Sequence, residues 1–371
     1  MSASGQPLLI GIDGRELEGK PTGVGSYLLN ILREMEVPPH FRLQVFFKNE
    51  ISPLAGLNVE PILLPSKQRN LFWLNGILSR ELKRRNVKLF FTPTANSILF
   101  FNGMQTVAIH DLSYFNYPAW FRPRERMVRK FCARQAAHKA KRIYVISEYV
   151  RKEIVSRFGI DEGKVLLTPI GVQERKIDPK SREILRKSYN LENRKIVLYV
   201  GSIFQRRHLP VVIEAMKSLK EEVQLIVIGE NRTFPRQDLL EIAKKKSVDS
   251  RITFLEYAAS KVVQDYYQMA DVFVYLSTYE GFGIPPLEAM SYGLPVVISK
   301  TPAMDEVYAG SAEFAEINPQ AVFESLNRVL YESTLREKLV RAGLEQVRRS
   351  RWNDTARLIL QDWEQLLASR S

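Results

Sequence analysis

Two carboxylates eight positions apart, Glu280 and Glu288, bracket a glycine-containing turn in the segment EGFGIPPLEAMSYGLPVV. The strand-like run ADVFVYLS precedes this turn, and Pro285 and Pro286 fit the first turn of a following helix. A helix N-terminus offers N–H groups to an anion, and phosphate is the usual anion. Carboxylates accept hydrogen bonds from sugar hydroxyls. Together these groups indicate a ligand that carries both phosphate and sugar, as a nucleotide sugar does.

A pair of arginines, Arg206 and Arg207, follows the strand-like run KIVLYVG, which ends at Gly201. Doubly wound sheets bind ligands at the carboxyl ends of their strands, and guanidinium groups hold phosphates through paired hydrogen bonds. We therefore interpret the pair as a clamp for a diphosphate leaving group, because its departure develops negative charge. The sequence contains no evident DxD-like pair or His/Cys cluster with metal-ligand spacing. We expect the cations and a helix N-terminus to replace a metal ion.

The first half of the chain contributes a second set of candidates. Gly23 and Gly25 lie in TGVGS, after the strand-like run LLIGIDG, although such glycines often only turn the chain. His110 and Asp111 follow the strand-like run TVAI. At the carboxyl end of a strand the imidazole is placed to contact a donor sugar or its phosphate. Asp111 either orients the histidine or caps the next segment.

Strand-like and helical stretches alternate through the whole chain, and these elements must position the candidate residues. LLIGIDG and KIVLYVGS each open a strand–turn–helix unit, which is typical of a doubly wound parallel sheet. The charged stretch 173–194 precedes the second opening strand. We therefore predict an α/β fold with two Rossmann-like domains, residues 1–175 and 176–350. We expect residues 351–371 to form a helix that packs back on the first domain.

The composition indicates which class of protein this chain belongs to. The chain has 371 residues, 45% of them hydrophobic, and its single cysteine, Cys132, excludes an internal disulfide. We see no signal peptide, and the apolar runs are shorter than the roughly 20 residues that span a membrane. These features predict a soluble, cytoplasmic protein.

The net charge of +13 requires an explanation. Residues 122–157 contain 12 Lys or Arg and three acidic residues. Solvated helix faces and an anionic membrane surface both explain this excess. Nucleic acid is disfavoured as a partner because no nucleic-acid-binding motif accompanies the charge.

The chain resembles the retaining glycosyltransferases of family four. The resemblance runs nearly end to end through GIDGREL, PTGVGSYLLNIL, IHDLSYFNYP, VISEYVRKEI, LLTPIGV, YVGSIFQRRHLPVVIEA, ADVFVYLSTYEGFGIPPLEAMSYGLPVV and RWNDTARLIL. It implies the GT-B fold, in which two Rossmann-like domains face a central cleft. Residues 1–175 would then bind the acceptor and residues 176–350 the nucleotide sugar.

The same resemblance implies roles for individual residues. Glu280 would hold hydroxyls of the donor sugar, Glu288 would bind the ribose, and the base would lie near Tyr257. The catalytic set would be His110, Arg206, Arg207 and Glu280. The donor-binding set would be Gly23, Gly25, Gly201, Tyr257, Phe282, Gly283, Ile284 and Glu288.

The segment IHDLSYF resembles mannosyl- and rhamnosyl-type transferases of bacterial surface polysaccharides. This implies GDP-mannose as the donor and a glycan or lipid-linked glycan as the acceptor, with retention of anomeric configuration and without a metal or other cofactor. The enzyme would work in the cytoplasm, at the inner face of the plasma membrane. The alternatives are a UDP- or dTDP-sugar donor, a sugar-nucleotide epimerase and a basic nucleic-acid-binding protein.

Overall fold

The computed structural model describes residues 7–19, 22–52, 54–175 and 178–369. The chain divides into two compact units. The first unit comprises residues 1–171 and 352–371, and the second comprises residues 172–351. The boundaries drawn from the sequence, after residues 175 and 350, lie within a few residues of these limits.

The first unit is built on a parallel sheet of seven strands in the order β3-β2-β1-β4-β5-β6-β7. Its central strands read as continuous apolar runs because helices cover both faces of a parallel sheet, and all four residues of β4 are buried. The strands are β1 (Leu8–Asp13), β2 (Phe41–Phe47), β3 (Glu60–Leu63), β4 (Leu89–Thr92), β5 (Met104–Ala108), β6 (Arg142–Val145) and β7 (Val165–Leu167).

The helices of the first unit include a three-residue turn that continues into the π-helical segment Trp73–Leu78. Their bounds are α1 (Gly23–Glu34), α2 (Asn70–Phe72), α3 (Ser79–Arg84), α4 (Ser113–Asn116), α5 (Pro123–Lys139), α6 (Glu148–Phe158) and, from the end of the chain, α15 (Trp352–Ala368).

Helix α15 is fixed to the first unit by a buried polar contact and by aromatic packing. Asp362 accepts hydrogen bonds from the Tyr144 hydroxyl at 2.8 Å and from Arg142 Nε at 2.7 Å. The Trp363 ring is fully buried, 5.7 Å from the Phe91 ring. The last helix therefore packs on the first unit, as the sequence predicts.

The second unit is built on a parallel sheet of six strands in the order β10-β9-β8-β11-β12-β13. The strands are β8 (Lys195–Val200), β9 (Val223–Ile228), β10 (Ile252–Leu255), β11 (Val272–Tyr275), β12 (Val296–Ser299) and β13 (Glu313–Ala315). The helices are α7 (Pro179–Ser188), α8 (Leu209–Ala215), α9 (Leu239–Lys245), α10 (Ser260–Met269), α11 (Ile284–Ser291), α12 (Pro302–Tyr308), α13 (Pro319–Tyr331) and α14 (Ser333–Arg349).

Both sheets reverse their strand order beside the first strand of the unit, between β1 and β4 and between β8 and β11. This is the order of a Rossmann fold, and ligands bind outside the carboxyl ends of the strands at such a reversal. The predicted α/β class with two Rossmann-like domains is confirmed. The sequence did not indicate β3, β7 and β13, which are edge strands of only three or four residues.

No helix within the described ranges is both long and apolar enough to cross a membrane.

Candidate active site

The arginine pair and the first glutamate come together at the strand reversal of the second unit. The loop after β8 carries Arg206 and Arg207 in a single 3-10 turn, and the loop after β11 carries Glu280. The Thr278 N–H donates to the Arg206 carbonyl at 3.1 Å, which joins the two loops. His208 Nε2 also lies 2.5 Å from the Thr278 hydroxyl.

The Glu280 carboxylate is held by a buried set of donors. One Oε accepts a hydrogen bond from the Ser277 hydroxyl at 2.6 Å and pairs with the guanidinium of Arg207. Arg206 Nε lies 3.9 Å from the same oxygen. The side chains of Arg207 and Glu280 are only 9% and 10% exposed. The ion pair is therefore screened little by solvent and fixes the carboxylate in place.

Arg207 is charged despite its burial. Desolvation is the largest single effect and lowers its pKa, but the charge and hydrogen bond of Glu280, together with the neighbouring Tyr275 and Tyr199, give a net raised pKa. Its Cζ lies 4.2 Å from the centre of the Tyr275 ring, which adds a cation–π contact. Its Nε is buried without a hydrogen-bond partner among the described residues. An unsatisfied buried donor on a cation is a group that a phosphate oxygen would satisfy.

The start of α11 is more restricted as an anion site than the sequence indicated. Gly283 has φ of +89°, and a Cβ there would lie 2.6 Å from Met304 Sδ, so only glycine fits. Pro285 and Pro286 occupy the second and third helical positions and carry no N–H. Among the first-turn donors of the helix, only those of Gly283 and Ile284 remain. The buried Phe282 ring packs edge-on near Tyr308 and helps to fix this turn.

The second glutamate lies one helical turn further along α11 and is held separately. The Tyr267 hydroxyl donates to Glu288 Oε2 at 3.3 Å, and the Tyr267 ring stacks on Tyr292 with centres 5.1 Å apart. Glu288 is exposed, yet neighbouring protein desolvates its carboxyl and raises its pKa. The hydrogen bond from Tyr267 and the charge of Arg175 oppose that rise. An accessible but partly desolvated carboxylate is well suited to accept hydroxyl hydrogen bonds.

A cavity of about 440 Å³ lies beside the ends of β8, β9 and β10 in the same unit. Gly229 lines it, and a Cβ at Gly229 would lie 2.0 Å from the carbonyl oxygen of Gly201, so the two loops touch through their backbones. Tyr257 is 76% exposed and does not appear in the cavity wall, whereas the preceding Glu256 does. The full lining is Ile203, Val227, Gly229, Asn231, Arg236, Gln237, Asp238, Leu239, Leu240, Phe254 and Glu256.

His110 lies in the first unit, after β5, and is held in one tautomer. Its Nε2 lies 2.9 Å from the Pro93 carbonyl oxygen, which can only accept, so Nε2 carries the proton. Its ring packs edge-on against Tyr27 with centres 4.7 Å apart. Desolvation lowers the pKa of His110, although the Pro93 bond and Asp111 oppose the effect. The imidazole is therefore neutral near pH 7 and has Nδ1 as an acceptor. Asp111 caps the next segment through the N–H and hydroxyl of Ser113.

The two glycines of TGVGS differ in their surroundings. Gly23 begins α1, and a Cβ there would meet nothing within 4 Å. Gly25 is buried, and a Cβ there would lie 2.2 Å from the Glu16 carbonyl oxygen. Its N–H donates to the capping hydroxyl of Thr22 at 2.9 Å. Packing against the preceding turn therefore requires glycine at position 25, and the predicted contact of Gly25 with the donor stays a prediction.

A larger cavity, of about 1060 Å³, lies within the first unit and was not indicated by the sequence. Arg15 lies in its wall and pairs with the buried Asp13 through bonds of 2.9 and 2.6 Å. The Thr92 hydroxyl donates to Asp13 at 3.2 Å, which joins the ends of β1 and β4. The remaining walls combine acids, such as Glu16 and Glu50, with exposed cations that include Arg69, Arg122, Arg124 and Arg129.

Within the described ranges, no group of three or more His, Cys, Asp and Glu residues could hold a metal ion.

Two family models match nearly the whole chain. The model described as Glycosyltransferase Family 4 matches residues 21–176, and the model described as Glycosyl transferases group 1 matches residues 181–346. The chain belongs to glycosyltransferase family 4. The Glycosyltransferase Family 4 model matches most of the first unit, and the Glycosyl transferases group 1 model matches most of the second.

Curated relatives are about a quarter identical to this chain over the aligned residues. O-antigen chain mannosyltransferase B of Escherichia coli is 27% identical over 252 residues, which cover 66% of this chain and 66% of that protein. O-antigen chain mannosyltransferase RfbU of Salmonella typhimurium is 27% identical over 248 residues, which cover 67% of this chain and 65% of that protein. The matches thus span about two thirds of the length of these relatives.

The solved structure of HepE from Anabaena in complex with UDP and glucose has the same fold. It aligns with a TM-score of 0.77 at 17% identity and covers 96% of this chain and 100% of that one. The glycosyltransferase therefore has the GT-B architecture of two Rossmann-like domains.

Several groups that complete the site went unrecognised in the sequence. Ser277 and Tyr267 hold the two glutamates, and Asn231 belongs to the cavity beside β9. The run QLIVIGEN ends a strand with polar residues, and that signal could have found Asn231. Ser277 and Tyr267 become neighbours of the carboxylates only through the fold.

A double-mutant cycle tests the coupling of Glu280 and Arg207. Glu280→Gln and Arg207→Gln should each lower the free energy of unfolding by about 3 kcal/mol, because each leaves one polar partner buried without its counter-charge. The double variant should lose clearly less than the sum of the two. Urea unfolding of all four proteins measures the coupling. Glu241→Gln, which breaks an exposed pair with Lys245, is the control and should change little. Additive losses would show that the pair is not coupled.

The buried neutral His110 predicts a pH dependence of stability. Its folded pKa lies below the ordinary value of 6.5, so between these two values the unfolded chain binds a proton that the folded chain does not. The contribution is therefore present above pH 6.5 and is lost as the pH falls below it. From about pH 7.5 to about pH 5.5, wild type should lose more stability in urea unfolding than His110→Gln. A His138→Gln control, at an exposed histidine, should follow wild type. Identical losses in wild type and His110→Gln would contradict the burial argument.

Proposed function

We propose that this protein is a retaining, metal-independent glycosyltransferase that moves mannose from GDP-mannose to a glycan or lipid-linked glycan. One observation carries the proposal: Arg206, Arg207 and Glu280 meet at the strand reversal of the second unit. Two cations and a carboxylate at that point match the diphosphate and the sugar hydroxyls of a donor. The names of the two O-antigen mannosyltransferases favour mannose as the transferred sugar.

The arginines would act on the leaving group. In the reaction the bond between the sugar C1 and the diphosphate oxygen breaks, and the acceptor hydroxyl oxygen forms a new bond to C1 on the same face. The hydroxyl proton passes to the departing phosphate oxygen. Negative charge develops on the diphosphate as the bond breaks, and Arg206, Arg207 and the N–H groups at Gly283 and Ile284 stabilise it.

Glu280 would orient the donor sugar. Its Oε1 is occupied by Ser277 and by the arginine pair, which fixes the plane of the carboxylate. Hydrogen bonds from the sugar hydroxyls to this fixed group would position C1 between the leaving group and the acceptor. Glu288, held by Tyr267, would accept from the ribose hydroxyls. Its pairing with Arg207 makes Glu280 an orienting group and not a nucleophile in this proposal.

The cavity beside β8, β9 and β10 would hold the base. Its volume of about 440 Å³ suits a nucleotide base, and its wall contains Asn231 and Glu256. A carboxylate and an amide can accept from the N–H groups of guanine, which favours GDP over UDP. A UDP- or dTDP-sugar donor is the alternative, and the first measurement below separates them.

The first unit would receive the acceptor. Neutral His110 has Nδ1 available to accept from a sugar hydroxyl. The cavity of about 1060 Å³ combines carboxylates for hydroxyl groups with arginines for an anionic group, such as the phosphate of a lipid-linked glycan. Such an acceptor would place the enzyme in the cytoplasm, at the inner face of the plasma membrane.

Nucleotide binding tests the donor. Thermal unfolding without metal should shift most with GDP and less with UDP, ADP or dTDP, because at equal concentration the ligand that binds the folded state more tightly stabilises it more. Glu288→Gln should reduce the GDP shift, whereas Glu241→Gln on an exposed face should not. A larger shift with UDP or dTDP would replace the proposed donor. A shift with none of the four would contradict the proposal.

Transfer tests the reaction. With GDP-mannose and a mannosylated acceptor, NMR of the product should show the anomeric configuration of the donor, and EDTA should leave the rate unchanged. Glu280→Gln should lower kcat/KM by about a hundredfold or more. The Glu280→Gln/Arg207→Gln double variant should remain inactive even though it regains stability. Inversion, a strict metal requirement or full activity of Glu280→Gln would each contradict part of the proposal. Conversion of the donor without an acceptor would indicate an epimerase.

A further inference from the structure

Three neighbouring segments of the first unit expose large apolar side chains. Phe72, Phe100, Met127 and Phe131 are 66%, 64%, 68% and 57% exposed. We define the apolar face as these four residues together with the less exposed Leu71, Leu99 and Val128. Exposed aromatic and aliphatic groups in this number mark a binding surface more often than a solvated one.

Helix α5 supplies one edge of the apolar face. Its buried residues are Cys132, Ala133, Ala136 and Ala137, which lie on one side of the helix. Met127 and Phe131 are one turn apart and lie on the opposite side, because residues four apart share a helix face. These side chains therefore point away from the core of their own unit.

Direct contacts join the three segments into one surface. The Lys139 ammonium, at the end of α5, contacts the Leu99 carbonyl oxygen. The Leu99 N–H donates to Asn75 Oδ1 at 2.7 Å, and Asn75 Nδ2 donates to the Leu71 carbonyl at 2.9 Å. Helix α5, the loop after β4 and the turn at α2 are thus held side by side.

Helix α5 and the residue before it also carry many cations. Residues 122–139 contain seven Lys or Arg and one acid, Glu125. Arg134 is exposed on the same side of α5 as Phe131 and has no ion-pair or hydrogen-bond partner for its guanidinium among the described residues. Lys130 lies over the Phe115 ring, with its Nζ 4.9 Å from the ring centre. An anionic partner would complement this charge, and an apolar one would cover the aromatic groups.

We propose that the apolar face docks on an anionic lipid bilayer. Phe72, Phe100, Met127 and Phe131 would enter the boundary between headgroups and acyl chains, and Arg134 with its basic neighbours would lie at the lipid phosphates. A bilayer supplies both the negative charge and the apolar depth that the face requires. Leu71 and Val128 belong both to this face and to the wall of the 1060 Å³ cavity, so the cavity borders the surface.

This docking extends the proposed function, which includes a lipid-linked acceptor, but vesicle binding requires neither donor nor transfer. A failure of membrane docking is therefore distinguishable from a failure of the proposed glycosyl transfer.

Vesicle flotation tests the proposal. Wild type should float with vesicles of equimolar phosphatidylcholine and phosphatidylglycerol and bind weakly to phosphatidylcholine alone. Phe131→Glu and Met127→Glu should each weaken binding by about tenfold or more, because an apolar anchor is lost. Ile184→Glu is the matched control: this exposed apolar residue lies on α7 of the second unit, and its substitution should have a far smaller effect. Urea unfolding confirms that the variants are folded.

A separate pair of variants tests how much the positive charge of Arg134 contributes to vesicle binding. Arg134→Gln should weaken binding to the anionic vesicles by about fivefold at low salt, whereas Arg349→Gln, an exposed arginine of α14, should change it less. Neither Phe131 nor Arg134 lines either of the two cavities described above, so both variants should keep the GDP shift and the transfer to a water-soluble acceptor.

Three results would overturn the inference. These are absence of wild-type binding to the anionic vesicles, equal binding of wild type and Phe131→Glu, and equal losses in the control variants. If sedimentation shows a dimer that Phe131→Glu dissociates, the face serves a second copy of the chain instead of a bilayer.

Discussion

The buried pairing of Glu280 with Arg207 is the interaction on which the candidate active site depends. Each charge alone would be costly to bury, so each requires the other, and together they join the loops after β8 and β11. Ser277 and the Tyr275 ring complete the surroundings of the pair. Because the pair is formed before any ligand binds, the guanidinium and the carboxylate face the donor site with little freedom left to lose. Preorganisation of this kind is what stabilises charge that develops during a reaction.

Two positions that require glycine are the second constraint on the donor side. A Cβ at Gly229 would lie 2.0 Å from the Gly201 carbonyl oxygen, and Gly283 has φ of +89°, which disfavours any side chain there. Both glycines follow strands, at the carboxyl edge of the second sheet, where ligands of a Rossmann fold bind. The two prolines that follow Gly283 set the direction of α11 but remove two N–H donors. In the proposed reaction much of the anion binding at this edge would therefore fall to the arginine side chains, which agrees with the burial of Arg207 and its unsatisfied Nε.

The first unit combines a neutral polar site with a charged and apolar exterior. His110 is desolvated and fixed by Pro93, and the large cavity next to the strand ends mixes acids with arginines. The cavity shares Leu71 and Val128 with the apolar face, so the polar cavity adjoins the surface that we propose to face lipid. That arrangement is the physical link between the glycan chemistry proposed for the interior and the basic, apolar exterior. Residues 122–139, with seven Lys or Arg and one acid, account for part of the net charge of +13.

The sequence by itself determined the α/β class, the two opening strand–turn–helix units and the family, because apolar runs, glycine turns and the EGFGIPPLE segment are local signals. It also placed Arg206, Arg207, Glu280 and His110 at strand ends, which is a property of chain order. Only the tertiary structure decided which of these groups meet: it buried Arg207 on Glu280, assigned Gly25 to packing and set Glu256, not Tyr257, in the wall of a cavity. Edge strands, the Asp13–Arg15 pair and the apolar face were likewise beyond the sequence. Each depends on contacts between residues distant in the chain or on which side of a helix faces the core. A local sequence pattern does not reveal either of these.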